Sequence, residues 1–497
     1  MAGQNTKSGS VSARVMSASL WVFGSQILTL GLVFIAQRIV LSTLDPASNG
    51  TLFLERRLTE VLVGLFADFG MNGIVVRRVA QDPANARGIL ASAFYLRLAL
   101  WSIATLVLGV AAQGGAYDVA DILMWSAYML IASRTTLLRY TLEVPWRAAS
   151  DFRLPAVVAV LDAVLFAALV TLWQDALTPT AVITAFLTSA VPGFLLLLVL
   201  DRGRSTSMSS ASMGEMRSLL REALPVISAI VLISLHDKID AFLVTSFAGL
   251  AAAGVLGAAY TTLGPILAVI PMAVSYAAMP DVSRLLVTDE RKGLDVAVGV
   301  LKHLLVISLL VTSVATIVMP FFVDIVTKGQ YTASLDQFLW FVWTAPFVAV
   351  LVYAQEVSVA MQRQQNVLRI AIALVVGTVG FGLLLIPSMS SLGAVLAKVI
   401  TSILGASVSL WLLHQTMGNR INVQFAIRCI VLCAAAGCVS LGLADRQLAL
   451  KSVSMAVVLE TAGRIVAALL GVMGLSFLTG LLGRDDIRRV VRGIRGI

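Results

Sequence analysis

LPAVVAVLDAVLFAALVTLW (residues 154–173), a short gap QDALT, and PTAVITAFLTSAVPGFLLLLVL (179–200) decide how this chain is read. Each apolar run is about the 20 residues that a helix needs to cross roughly 30 Å of hydrocarbon. Arg147 and Arg153 precede the first run and Arg202 and Arg204 follow the second, while the gap between them carries no base. Such a pair crosses a bilayer twice and returns to the side on which it began. The same pattern extends in both directions. Upstream, apolar runs lie near 15–40, 51–69, 88–112 and 119–138. Downstream they lie near 223–247, 253–279, 295–319, 336–360, 367–387, 391–414, 425–443 and 454–481. Hydrophobic residues make up 59% of the chain and the mean hydropathy is +0.93. The fold class is an all-α polytopic membrane protein with about fourteen transmembrane helices.

The charges orient it. One set of gaps holds Lys7 and Arg14; Arg77, Arg78 and Arg87; Arg139, Arg147 and Arg153; Arg202, Arg204, Arg217 and Arg221. Arg284, Arg291, Lys292, Arg363, Arg420 and the tail Arg484, Arg488, Arg489, Arg492 and Arg495 continue it. The alternate gaps have little beyond Lys328, Arg446 and Lys451. The positive-inside rule then places both termini in the cytoplasm and demands an even number of spans. Glu55, Arg56, Arg57 and Glu60 interrupt the second span. Dropping it would invert every later loop, so it is kept. Topology and attraction to anionic headgroups account for the net charge of +9 without a nucleic-acid partner. The first apolar run is too long for a cleaved signal and reads as an uncleaved anchor.

No gap accommodates a soluble catalytic domain, and the sequence has no Gly-Lys pair with which to build a phosphate-binding loop. An enzyme is therefore not expected, and the short outer loops disfavour a glycan polymerase or ligase. Cys429, Cys433 and Cys438 fall in one span and read as packing residues; His236, His303 and His414 are scattered, so no metal centre is expected. A polar stretch, Asp201–Met216, divides the chain. The expected organisation is an N-terminal lobe of six spans (1–200), a cytoplasmic connection (201–222) and a second six-span lobe (223–415). Two further helices (416–481) and a basic tail (482–497) follow. Each lobe opens with a long span, a glycine-bearing outer gap (Gly50, Gly254), a second span and an arginine-bearing inner segment. Two parallel, pseudo-symmetric halves are a recurrent transporter plan.

Charges within spans mark candidate sites, because a charged side chain at mid-bilayer costs roughly 2.5–3.5 kcal/mol on insertion scales. Arg56 and Glu60 stand four apart and are able to neutralise one another. Arg57 is expected to point elsewhere, as a ligand contact or an interhelical ion pair. Arg97, with no acid three or four residues away, has the same two readings. Span seven holds His236, Asp237, Lys238 and Asp240 in one turn, more than a lipid-facing helix tolerates; a cavity wall is expected there. Lys398 lies inside span twelve without an acid one turn away. Glu356 in span ten reads as a cap, an ion-pair partner or an ion-coupling group. Arg38, Arg134 and Asp162 lie near span ends, where snorkelling explains them. Glu460 and Arg464 form an i, i+4 pair. Pro265 and Pro271 are expected to kink or unwind span eight.

Several stretches carry a family likeness: Asp240-Ala-Phe-Leu-Val through Gly254-Val-Leu-Gly-Ala-Ala-Tyr260, then Ile270-Pro271, Met279-Pro280 and Ser283-Arg284. Others are Leu65-Phe-Ala-Asp68-Phe-Gly70-Met71 with Arg77-Arg78, Gly329-Gln-Tyr331, and Ser391-Leu-Gly393-Ala. Over most of residues 12–415 the chain resembles the polysaccharide transporters of the multidrug/oligosaccharidyl-lipid/polysaccharide (MOP) superfamily. The resemblance implies a Wzx-type flippase in a bacterial inner membrane. Such a protein moves undecaprenyl-pyrophosphate-linked oligosaccharide to the outer leaflet for surface polysaccharide export (O-antigen, exopolysaccharide or capsule). It further implies alternating access, with the pyrophosphate drawn to Arg57, Arg97, Arg56, Lys238 or Lys398. No cofactor is implied beyond H+ or Na+ coupling through Asp237, Asp240, Glu60 or Glu356. Partners would be the lipid-linked glycan, membrane lipids, and polymerase and export machinery. The rival readings are a multidrug cation antiporter of the same superfamily and a non-transporting scaffold of an envelope assembly machine.

Overall fold

The computed structural model describes residues 5–68, 70–113, 118–132, 137–149, 151–445 and 455–481. Arg134, Arg446, Lys451 and the basic tail lie outside them. Every regular element among the described residues is helical. This is the expected solution in hydrocarbon, where each N–H and C=O must find its partner within its own segment. In chain order the helices begin with α1 (Asn5–Thr43), α2 (Pro46–Thr59), α3 (Leu65–Asp68), α4 (Met71–Gln81) and α5 (Ala86–Ala112). There follow α6 (Val119–Ile131), α7 (Leu138–Ala148), α8 (Arg153–Leu172), α9 (Pro179–Asp201), α10 (Met213–Thr288) and α11 (Glu290–Thr327). The series ends with α12 (Leu335–Val342), α13 (Ala345–Ala360), α14 (Gln364–Met417), α15 (Val423–Leu443) and α16 (Met455–Leu478). Among the described residues, 10 helical stretches are long and apolar enough to cross a membrane, and Val119–Ile131 is a shorter apolar helix.

Two of those stretches contain a break in helical geometry. α10 breaks at Gly249 (φ 82°, ψ 177°) and α14 at Ser390 (φ 55°, ψ −134°). In α14 the geometry shows what the break does. In a straight helix residues eight apart lie about 12 Å apart along the axis. Here a Cβ on Gly393 would stand 2.3 Å from the Leu385 carbonyl oxygen. Gly377 likewise meets Thr401 and Leu404, and Gly405 meets Leu374. Pairs that converge in this order make an antiparallel hairpin, and the small residues let its arms approach closely, as helices in lipid require.

Elsewhere the observed boundaries differ from the expected ones. Span two does not end at residue 69: after Gly70 (φ 69°) the chain continues as α4, so Arg77 and Arg78 are helical. Span four does not stop at residue 138, because α7 carries Arg139, Glu143 and Arg147 onward on a helix. α10 runs without interruption past Pro265 and Pro271; its one non-helical residue is Gly249. Each proline removes only one N–H donor, and hydrocarbon offers the chain no competing partner that would reward unwinding.

The chain forms two compact units, Met1–Ala241 and Phe242–Ile497, the division falling inside α10. In the first, Leu52, Ile122, Trp125, Phe166 and Phe186 of α2, α6, α8 and α9 share one core with Val40 of α1. A second core joins Val75 of α4, Leu90 of α5 and Val144 of α7 to Leu219 and Ala223 of α10. In the second unit, Val282, Leu305, Tyr353, Ala406, Leu432 and Val472 belong to one large core. α5 is built inside out relative to a soluble helix. Ile103, Leu106, Val107 and Val110 are exposed along one face, and Arg97 is fully buried. That is how a helix bathed in lipid is arranged.

Candidate functional site

α2 carries the first group of charges. Its regular geometry ends at Glu60, where a π-turn covers Glu60–Gly64; such turns recur at functional sites. Each Glu60 oxygen takes a different arginine. Arg56 Nε lies 2.9 Å from Oε1 and Arg57 Nη1 lies 2.9 Å from Oε2. Arg57 therefore does not point away from Glu60 as expected, since positions three apart also share a helix face. Aromatic rings support both guanidinium groups: Arg56 is 5.8 Å from the centroids of Trp125 and Phe186, and Arg57 is 5.1 Å from that of Phe53. Lys238 of α10 is within electrostatic reach of the same Glu60. Three cations thus converge on one acid. Neither arginine is sealed off, and Arg56 keeps 35% of its side chain exposed.

Arg97 is different. It is 0% exposed, and both of its terminal nitrogens are committed. Nη1 donates to the Leu137 carbonyl (3.1 Å) and Thr141 Oγ1 (2.6 Å); Nη2 donates to Asn72 Oδ1 (2.6 Å) and faces Asp68 Oδ1 at 3.4 Å. It pins α5 to α3, α4 and α7, which is the interhelical-pair reading. Its acid, Asp68, lies on another helix, out of view of a search along its own.

Arg139 and Asp162 also sit otherwise than expected. Arg139 is not in a cytoplasmic gap but fully buried, and Asp162 does not snorkel. Arg139 Nη1 and Asp162 Oδ2 are 2.5 Å apart, and Glu143 bridges Arg139 at 3.5 Å and Arg147 at 2.6 Å. Gly193 of α9 makes room for them, since a Cβ there would stand 2.6 Å from Asp162 Oδ1.

On α10, His236 and Asp240 are buried, Asp237 is exposed, and His236 Nε2 is 3.9 Å from Asp237 Oδ1. Toward the start of that helix, Glu222 binds Arg77 and Arg78, and Arg78 also reaches Glu215 at 2.5 Å. In the second unit Lys398 is buried, 5.6 Å above the ring of Tyr260, which packs against Phe341. Glu356 lies on α13 near Tyr353, whose hydroxyl donates to the Ala297 carbonyl (3.0 Å). The structure thus brings Arg56, Arg57, Glu60 and Lys238 together and sets Arg97 apart in a packing role. Glu460 and Arg464 pair as expected, at 2.6 Å. Glu55 and Asp121, both buried, were not singled out by the sequence; Glu55 read only as an interruption of its span.

Likeness to known proteins accords with this arrangement. The family model described as polysaccharide biosynthesis protein matches residues 15–286. No curated protein matches the chain in sequence. Among solved structures, the lipid II flippase MurJ in an inward closed conformation superposes with a TM-score of 0.65 at 11% identity, covering 93% of this chain and 98% of that one. An inward-facing multidrug resistance MATE family transporter of the MOP superfamily gives 0.63 at 15%, covering 79% and 95%. A Vibrio cholerae MATE transporter gives 0.53 at 15%, covering 84% and 99%. At these identities the likeness speaks for the fold, a MOP-type transporter fold, while the family match runs over more than half of the sequence. A chain with many helices long and apolar enough to cross a membrane, and with cations gathered on one acid, thus belongs to the polysaccharide biosynthesis protein family.

Proposed function

We propose that the protein is a flippase for polyprenyl-pyrophosphate-linked oligosaccharide, moving it from the inner to the outer leaflet of a bacterial cytoplasmic membrane by alternating access. The observation that carries this reading is the convergence of Arg56, Arg57 and Lys238 on the single carboxylate of Glu60. Family membership adds the polysaccharide context. Guanidinium forks bind phosphate oxygens bidentately. A pyrophosphate arriving at the cluster would displace Glu60 from one or both arginines, so Glu60 holds the cations in place between cycles. Lys398, a buried cation over an aromatic ring, is the candidate counterpart in the second unit. Moving an anion out of a negative interior is favoured by about 2.3 kcal/mol per charge per 100 mV, so the potential supplies part of the drive.

In this reading α2–α4, α6–α7 and α12–α13 each make one pass, and α10 and α14 make two. The chain then crosses about fourteen times with both termini cytoplasmic. A cation antiporter is the second reading, favoured by the buried acids of the first unit and by the likeness to multidrug transporters. The test is depletion in the native host, with lipid-linked oligosaccharide quantified by leaflet. Inner-leaflet build-up that wild type reverses and Arg57→Ala does not supports the flippase. Unchanged oligosaccharide with altered sensitivity to cationic drugs supports the antiporter.

A further inference from the structure

One buried group in the first unit is unused by the cationic cluster. Glu55 of α2 is 1% exposed, and neither of its oxygens has a hydrogen bond of full geometry among the described residues. The arginines that follow it in sequence are turned to Glu60. Asp121 and Asp118 both act on Glu55 as like charges, while the Asp118 backbone N–H approaches it as a donor. Asp121 is 4% exposed; its Oδ2 accepts from the Thr180 hydroxyl at 3.0 Å, and its Oδ1 is unpartnered. Asp118 is exposed and caps α6, accepting from the Ala120 N–H at 2.8 Å.

The elements packed most closely on α2 are the π-turn, α6 and α9. Their ionisable groups are Glu60, neutralised by its arginines; Asp118, Asp121 and Tyr128; and Asp201, at the far end of α9. No cation is paired to Glu55 among the described residues. Nor does any cluster of three or more His, Cys, Asp or Glu among them suit a metal ion. An ionised carboxylate there would have only the Asp118 backbone N–H to offset its desolvation, with like charges beside it. Asp121 has, in addition, the Thr180 hydroxyl to favour its charge.

We infer that Glu55 and Asp121 form a proton-binding pair in the first unit, the proton residing on Glu55 and exchanging with water through the exposed Asp118. Burial deepens stepwise along that path, from the Asp118 cap through Asp121 in the first turn of α6 to Glu55. The three helices α2, α6 and α9 start at the same face, which the charge pattern makes the external one. Proton entry is therefore from outside. Any coupling of this proton to transport rests on the proposed flippase; its binding does not.

The test uses the full-length protein in lipid vesicles with a hydrophobic carbodiimide, which attacks protonated carboxyl groups, and locates the adducts by mass spectrometry across a range of pH. Glu55 is expected to be labelled, with labelling lost at alkaline pH. The pH profile shifts in Asp121→Asn and does not in Asp175→Asn, an exposed acid on the turn before α9. A parallel infrared difference spectrum shows a protonated-carboxyl band that disappears in Glu55→Gln. Absence of that band from the wild type, or Glu55 labelling that sodium blocks at constant pH, overturns the inference, the latter in favour of a metal cation site. Neither readout needs a glycan substrate, so this inference and the flippase proposal fail separately.

Discussion

Arg57 and Arg97 carry the same group into the membrane and differ in what surrounds it. Arg97 has a buried fork shared among an acid, an amide, a hydroxyl and a carbonyl. Removing it strands those groups, so Arg97→Ala is expected to cost about 3–5 kcal/mol, as for other broken buried pairs, and to show as a large fall in Tm in detergent. Arg97→Lys should recover little, because a point charge cannot reproduce the planar fork. Arg57→Ala leaves Glu60 with Arg56 and should change stability by about 1 kcal/mol or less. Its effect belongs to function, read as unflipped lipid-linked oligosaccharide. The sequence made both arginines visible as charges inside spans. It did not reveal their partners, because Asp68 and Asn72 reach Arg97 across helices, and a linear chain displays only neighbours three or four residues away. Glu55 was hidden for a related reason: whether a carboxylate is satisfied is a property of the packed neighbours alone.

Helix ends and reversals are set by backbone chemistry that single substitutions test. Asp45 caps α2, accepting from the Ala47 and Ser48 N–H groups, and the Ser48 hydroxyl bonded to it holds its carboxyl below the usual range. A depressed folded value means the contribution is present above the unfolded pKa and lost as pH falls through the folded one. Asp45→Ala should therefore cost about 1 kcal/mol at neutral pH, with the difference from wild type shrinking in acid, as thermal melts at several pH values would show. Gly393 is a stricter case. A methyl group there would meet the Leu385 carbonyl, a backbone atom that cannot rotate aside. Gly393→Ala is expected to destabilise by about 1–3 kcal/mol, measurable as a lowered Tm. The apolar runs were legible because their period and length are written in the sequence. Their boundaries were less so. Gly254 stood out as the turn between spans seven and eight, but the break falls at Gly249, and composition does not distinguish one glycine from another. The extension of span four into α7 was concealed by charges that satisfy one another only after folding.

For the molecule as a whole, the proposed substrate charge makes flux voltage-dependent. Collapsing an inside-negative potential across vesicles should slow outward movement of a lipid-linked pyrophosphate, and it should leave a neutral analogue unaffected. A dye-coupled leaflet assay in reconstituted vesicles distinguishes the two. The division into two compact units follows from the chain having more hydrophobic length than one core can use. The buried Arg139 has a further consequence, for how the chain is made. α7 carries Arg139, Glu143 and Arg147 within a single short helix, and α8 carries Asp162. Alone, α7 would enter lipid with charges that each cost roughly 2.5–3.5 kcal/mol on insertion scales. Glu143 offsets one of its two arginines within α7, and Asp162, the acid that offsets the other, is synthesised only afterwards. During biosynthesis α7 is therefore expected to stay beside the translocation channel until α8 emerges, so that the two partition into the bilayer together. A side-chain contact in the finished protein thus dictates an order of events on the ribosome.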